Sequence, residues 1–393
     1  MKRILAILLC LCMILMGSGC SGSGNNDTDS TPPPSDSLSD PNKGDTRSMH
    51  AVSLIQISED TLADDGNVIF TRSYQAIDVT MGDPAIARAI KTSLKGQIDN
   101  ALESASELEA IAQSEYTGSD QWLSYFTQIH YTPTRIDQAV LSLFINHSSY
   151  SGGTHPSLST ASVTYDLSTG NALTLEDILV DGIDNSSLAD LVNQALSPNA
   201  EDLWYDYEET ISDHFSGNLK DASNWYFSKT GLCFHFEPFM IAPYSAGTII
   251  ASIPYDRLDG VLLQKYLPEK QTEADGSISV STQDRTASTP ANIAPVELDA
   301  NGTALLLCPD GAVNDVRIEI GTWSGSAMRY ITTSTIFAAD YIDADCGILL
   351  TVDLTNADIS LRLTYQSNSQ EIQAQITTDS NGNPILQPNE SII

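Results

Sequence analysis

From Val52 to Leu167 the chain switches between two hydrophobic periods, and each switch marks an element. Val52 to Ile57 and Val68 to Thr80 read as strands, the second carrying Tyr74, Ala76, Ile77 and Val79. From Asp83 to Ser106 the period lengthens: Ile86, Ile90, Leu94, Ile98 and Leu102 fall on one helical face, and Pro84 suits a first helical turn. A helical or loop segment holding Trp122, Tyr125 and Phe126 follows, and then Ile129 to Tyr131 and Gln138 to Ser149 return to strand.

The next stretch, Tyr150 to Leu179, combines a turn, a strand, a second turn and a helix start. Gly152 and Gly153 permit positive φ, and Pro156 stiffens the exit of Ser151-Gly152-Gly153-Thr154-His155-Pro156. Ala161, Val163, Tyr165 and Leu167 then alternate with Ser and Thr, Ser168 to Asn171 turns the chain, and Thr174 stands three residues before Asp177 as the N-cap of a helix with Leu175, Ile178 and Leu179. Beyond it come a helix around Ser186 to Leu196, an acidic aromatic segment Glu201 to Phe215, a hairpin Trp225 to Phe236 turning at Lys229-Thr230-Gly231, and a strand Thr248 to Pro254, with Lys265 to Leu267 closing the unit. Thr272 to Pro295 is polar, rich in Ser and Thr, and reads as linker. Six short β-patterned runs follow, Ala304 to Leu307, Val316 to Ile320, Met328 to Thr333, Gly347 to Leu354, Ile359 to Gln366 and Glu371 to Thr377, the rhythm of a small sandwich or barrel.

Two blocks resemble DUF3298, a bacterial envelope domain that often follows a DUF4163 domain. The first holds Gly152, Gly153, His155, Pro156, Tyr165-Asp166-Leu167, Gly170, Leu173-Thr174-Leu175 and Asp177. The second holds Gly231-Leu232, Phe234-His235-Phe236, Ile241-Ala242-Pro243-Tyr244, Gly247 and Ile253-Pro254-Tyr255. The strand, helix, strand order before them is what DUF4163 requires. The expected fold is therefore α+β: a two-part DUF4163/DUF3298-like region, residues 50–149 and 150–268, a linker at 269–295, and a small all-β domain at 296–393.

Ahead of these, Met1-Lys2-Arg3 and the apolar run Ile4 to Met16 form a secretory signal too short to span a bilayer. Gly17-Ser18-Gly19 before Cys20 resembles a bacterial lipobox, which implies a signal peptide at 1–20, lipidation of Cys20 and a lipid-anchored position on the extracytoplasmic face of the membrane. Residues 21–49 are Gly, Ser, Asn, Asp and Pro, a disordered tether. With 18 Lys and Arg against 51 Asp and Glu, the formal charge is −33, which argues against nucleic acid and anionic lipid headgroups as direct partners; solubility, as in many secreted bacterial proteins, is the simplest account of the acidity, and a basic protein is the electrostatic complement if it serves recognition.

Catalytic motifs are few. No HExxH, GxSxG or Walker loop occurs, and Gly321-Thr322-Trp323-Ser324-Gly325 places its serine one position late for a nucleophile elbow, so it reads as a turn between strands. His155 alone among the histidines sits in a distinctive loop, where capping a Gly-Gly turn is a simpler role than catalysis, and no spacing of His130, His147, His155, His214 and His235 makes a recognisable metal site. Asp340, Asp343 and Asp345, and the run Asp379 to Asn383, offer calcium-like carboxylates but lack a complete loop motif and read as solvated turns. No cofactor, metal or catalytic residue is expected.

The candidate binding residues are Gly152, Gly153, His155, Pro156, Pro243, Tyr244 and Gly247, on the loop Ser151 to Pro156 and the strip Pro238 to Gly247. Cys308 and Cys346 are the candidate disulfide of an oxidising compartment, leaving Cys233 as a small buried hydrophobe. The resemblance implies kinship with lysozyme-sensing anti-sigma factors and with the N-terminal region of peptidoglycan deacetylases. The expectation is a non-enzymatic envelope lipoprotein binding a wall component, peptidoglycan, or a wall-active protein such as lysozyme. Two alternatives stand beside it: a peptidoglycan glycan hydrolase using paired carboxylates such as Glu208 and Glu209 with a distant partner, and a structural lipoprotein assembling with other envelope proteins through its β-rich C-terminal domain.

Overall fold

The computed structural model describes residues 48–118, 121–269, 273–282, 290–324, 329–355 and 360–388. The signal peptide, Cys20 and nearly all of the tether lie outside the described residues. The first strands are β1 (Ala51–Leu62) and β2 (Val68–Thr80), an antiparallel pair. Helix α1 (Pro84–Glu115) crosses from β2 to β3 (Tyr125–Ile136), which lies parallel to β2, and β4 (Val140–Tyr150) and β5 (Ser157–Asp166) add antiparallel strands. A helix is the natural crossover between parallel neighbours. Asp83 caps it, its carboxylate accepting from Ala85 N at 2.7 Å. The helix runs nine residues past the expected end at Ser106, because Ala105 and Ala112 carry the buried stripe of Ala87, Ile90, Leu94 and Ile98 onward.

Three short helices follow: α2 (Leu175–Ile178), α3 (Asn185–Leu196) and α4 (Tyr207–Phe215). Thr174 and Asp177 form the reciprocal capping box that their spacing predicts, Thr174 N donating to Asp177 Oδ2 at 2.8 Å. These helices pack on a three-stranded antiparallel sheet, β6 (Trp225–Phe227), β7 (Gly231–Phe236) and β8 (Ile249–Pro254), over a core that includes Leu188, Val192, Ile211, Phe215, Phe227, Phe234 and Phe236. Gly231 serves the hairpin by its missing side chain: a Cβ there would lie 2.1 Å from Ile253 O.

The remaining strands are β9 (Ile278–Thr282), β10 (Asn292–Glu297), β11 (Thr303–Pro309), β12 (Val313–Ser324), β13 (Arg329–Ile342), β14 (Cys346–Val352), β15 (Ser360–Ser367), β16 (Gln370–Thr378) and β17 (Pro384–Pro388). Two of these correct the expected linker at 269–295. Ile278 to Thr282 pairs with β11, and Asn292 to Glu297 pairs with β14, within a four-stranded sheet ordered β10-β14-β11-β9. Polar side chains between 272 and 295 hid a strand whose single buried anchor is Ile278.

The expected independence of residues 296–393 is also corrected. Strands β12, β13, β15, β16 and β17 continue the sheet of the first unit, in the order β17-β16-β15-β12-β13-β1-β2-β3-β4-β5, and the join is the antiparallel pairing of Ala51 with Ala339 and Val52 with Ala338. The four-stranded sheet packs on this half, Leu305, Leu307, Ile348 and Leu350 meeting Ile318, Phe337 and Leu363. The boundary expected at residue 150 falls inside the β4–β5 hairpin, whose register begins at Ser149 and Ser157. Gly321 to Ser324, expected as a turn, ends β12 in its pairing with β13. Pro384 and Pro388 bracket the edge strand β17, limiting the backbone donors it offers.

The proposed Cys308–Cys346 disulfide is absent; both thiols are free, as is Cys233. The register of β11 against β14 explains it. Leu307 lies opposite Ile348 and Leu305 opposite Leu350, so Cys346 shares their buried face, whereas Cys308 alternates to the other side of the sheet. Burial pushes the Cys346 thiol up to about 12. Alkylation of the denatured, unreduced protein should therefore modify Cys233, Cys308 and Cys346 alike; mass spectrometry finding Cys308 and Cys346 both blocked would contradict this register.

Candidate functional site

The three-stranded sheet is fixed to the outer face of β4 and β5 by buried polar contacts. His235 on β7 meets Thr160 Oγ1 through Nδ1 at 2.9 Å and Ser162 Oγ through Nε2 at 3.1 Å. Ser162 Oγ also donates to Trp225 O at 2.5 Å, Phe227 N donates to Ser142 Oγ at 3.0 Å, and Glu237 Oε1 accepts from Thr160 N at 3.1 Å. Burial, with His214 nearby as a lesser cause, pulls the His235 imidazole down to about 4, so it is neutral at physiological pH. His235 therefore acts as a buried strut, and a sequence without register gave no sign of its partners.

This docking carries the two expected binding segments to one place. The loop after β4 is shaped from behind: Gly152 and Gly153 take φ of 87° and 108°, a Cβ on Gly152 would meet Tyr125 Oη at 3.0 Å, and Tyr150 Oη donates to Gly153 O at 3.0 Å. The glycines are thus backbone devices. Its tip meets the strip after β7, where Tyr244 Oη donates to Pro156 O at 2.8 Å and the His155 and Tyr244 rings sit 4.7 Å apart. Gly247 bends the end of that strip with a φ of 69°, and Pro243 stands exposed ahead of Tyr244.

Phe239 extends the surface. Its ring lies 5.2 Å from that of Tyr244, it is 58% exposed, and its φ of 72° is a left-handed conformation that bulky side chains rarely adopt. Met240 N donates to Glu237 O at 3.0 Å, so Pro238 and Phe239 are the central residues of a tight turn, and the positive φ of the second serves that turn while leaving its ring at the surface. Residue type and spacing carry no signal for this φ, so Phe239 did not stand out within its strip. Beside it, Trp204 N donates to Ile241 O at 3.0 Å, which brings Trp204 and Tyr205, 42% and 98% exposed, onto the same side. Glu201, Asp202, Asp206, Glu208 and Glu209 flank those rings in sequence. Of the interleaved aromatics, Tyr207 turns inward into the helix core, while Trp204 and Tyr205 remain at the surface.

The other candidates resolve into local structure. Asp343 Oδ1 accepts from Asp345 N at 3.0 Å, and Asp379 accepts from Asn381 N and Asn383 N at 2.8 and 2.9 Å, so these carboxylates are committed to turns. Among the described residues no group of three or more His, Cys, Asp or Glu is placed to hold a metal ion. No helix among them is long and apolar enough to cross a membrane.

Comparison with known proteins places a DUF3298 domain, a family described as a protein of unknown function, at residues 176–256. That span takes in α3, α4 and β6 to β8, including Phe239 and Tyr244, and begins after the loop that carries His155. Solved structures with partial likeness include a DUF3298-family protein from Bacteroides fragilis, 19% identical, covering 55% of this chain and 94% of its own with a TM-score of 0.41. Another is a DUF3298-family protein from Pseudomonas aeruginosa, 16% identical, covering 56% and 97%, with a TM-score of 0.38. No curated protein matches the sequence.

Proposed function

We propose that this chain is a non-enzymatic envelope lipoprotein, anchored through Cys20, whose aromatic surface binds a wall-active protein, with a basic muramidase of the lysozyme type as the leading partner. The observation that carries the reading is the meeting of exposed His155 and Phe239 with half-buried Tyr244 in one surface cluster. Exposed, pre-organised aromatic rings anchor interfaces, and acidic neighbours favour a cationic partner. Residues 50–149 as a DUF4163-like companion belong to the same proposal.

The hydrolase alternative is weakened by geometry. Glu208 and Glu209 are consecutive in α4, so their side chains diverge by roughly 100° and cannot face each other across a glycosidic bond; a hydrolase would need a distant second carboxylate, and the sequence names none. The structural alternative, assembly with other envelope proteins through the β-rich C-terminal part, is separated from the leading reading by the binding test below.

The test is retention of the purified protein on wall sacculi and on immobilised muramidase, together with release of labelled glycan. Retention without glycan release is the expected result. Glycan release would favour a hydrolase, and no retention on either support would leave the structural reading.

A further inference from the structure

Strand β5 ends the ten-stranded sheet, so one of its edges has no neighbouring strand. A backbone N–H on such an edge needs an acceptor from elsewhere. Thr160 N is such a donor, and Glu237 Oε1 accepts from it at 3.1 Å. The carboxylate takes the place that a carbonyl of a further strand would take. Glu237 is half-buried, follows directly on β7, and makes no ion pair among the described residues. Its own carbonyl accepts from Met240 N at 3.0 Å and closes the turn that carries Phe239. One residue therefore shapes that turn through its backbone and ties it to β5 through its side chain.

The strip has other ties, and they hold its ends. His235 meets Thr160 and Ser162 before the turn; after it, Ile241 is buried with its carbonyl on Trp204 N, and Tyr244 Oη donates to Pro156 O. Of the described hydrogen bonds between this segment and β5, that of Glu237 lies nearest to Phe239 in sequence.

We propose that Glu237 is the positioning residue of the aromatic surface: its carboxylate, seated on the open edge of β5, fixes the turn that presents Phe239 to a partner without itself meeting that partner. This rests on the reading of His155, Phe239 and Tyr244 as a recognition surface, and adds how that surface is set in advance. Pre-organisation lowers the ordering cost of binding, and among variants of one interface its loss is read mainly in the dissociation rate. A carboxylate suits the place because its bond to an N–H is charge-assisted and because a charge on a sheet edge discourages strand addition. A glutamine oxygen can accept the same bond without the charge, which separates positioning from electrostatic attraction.

Amide hydrogen exchange by NMR and association kinetics with a basic muramidase, both on the full chain, test the assignment in wild type, Glu237→Gln and Glu237→Ala. In the wild type the Thr160 amide should exchange about 10-fold or more slowly than an unbonded amide. Glu237→Gln should keep that protection and Glu237→Ala should lose it. Glu237→Ala should also speed dissociation of the muramidase about 10-fold, while Glu237→Gln should stay within about 2-fold of wild type. An unprotected Thr160 amide in the wild type, or protection that Glu237→Ala retains, would overturn the link to β5. Dissociation as fast in Glu237→Gln as in Glu237→Ala would replace positioning by a direct charge contact with the partner, and wild-type dissociation in Glu237→Ala would remove Glu237 from recognition. If the wild type binds no muramidase, the reading of the surface fails, and the Thr160 amide alone decides whether Glu237 holds the turn.

Discussion

Replacing Arg135 by alanine should destabilise the protein by about 3–5 kcal/mol, the cost of breaking a buried ion pair from one side. Nη1 donates to Tyr255 Oη at 2.8 Å and to Tyr266 O at 2.7 Å, Nε donates to Asp137 Oδ2 at 2.5 Å, and the guanidinium stacks 5.1 Å from the Phe227 ring centre and 5.3 Å from that of Tyr255. One planar group therefore ties the end of β3 to β6 and to the segment after β8. Lysine should not rescue it, because an ammonium cannot reproduce the fork or the stacking. Arg135→Met, which keeps much of the apolar stem, should recover part of the loss. Urea unfolding measures both; a loss below about 1 kcal/mol for Arg135→Ala would mean that solvent replaces these contacts.

Asp340→Asn should do the opposite and stabilise the protein near neutral pH by about 3 kcal/mol, since a tenfold change in a protonation equilibrium corresponds to about 1.4 kcal/mol. The carboxyl is held at about 7 when folded, mainly by burial, well above its ordinary value. Its contribution to stability is full below the unfolded value, near pH 4, and is lost as pH rises through about 7. Asparagine does not ionise, so the advantage of the variant should grow across that window. His235 acts with the reverse sign: its imidazole, pulled down to about 4, favours the fold above its ordinary value of 6.5, and that contribution is lost as pH falls. Asp166 adds to the acid loss, because burial of its carboxyl is outweighed by hydrogen bonds from Ser168, Lys265 and Tyr266. The wild-type pH profile is a contest between these groups, and the difference between wild type and Asp340→Asn isolates one of them. A difference that does not vary with pH would contradict the origin assigned to it.

Asp340 lies in a cleft with Arg135, Asp137, Lys229, Glu269 and Asp315. The cleft was not legible in the sequence. It is assembled from residues near 135, 229, 269, 315 and 340, and only Asp340 stood out, within an acidic run that suggested calcium. What was legible is local. The α1 stripe, the Thr174 capping box, the Gly152-Gly153 turn and the Lys229-Thr230-Gly231 hairpin each rest on residues a few positions apart, and each forms in the structure. What was missed is long-range: Ala51 pairing with Ala339 turns two expected units into one sheet, and no period within either strand announces its neighbour. The Cys308–Cys346 expectation failed for the same reason, since pairing two cysteines requires the face each one occupies. At the proposed binding surface, the two segments were visible separately, while their meeting depends on buried His235, Thr160 and Ser162 at the docked sheet.

The most direct measurement is the association of the purified chain with a basic muramidase, compared with Phe239→Ala and Tyr244→Ala at two salt concentrations. The wild type should associate faster at low salt, and the gain should shrink as the Debye length falls from about 10 Å at about 0.1 M. Each variant should weaken binding by about 10-fold or more, and Phe239→Ala should do so while keeping the wild-type unfolding midpoint, as expected for anchors at an interface centre. Undetectable binding by the wild type, or binding that both variants leave unchanged, would contradict the assignment of His155, Phe239 and Tyr244 as the recognition surface.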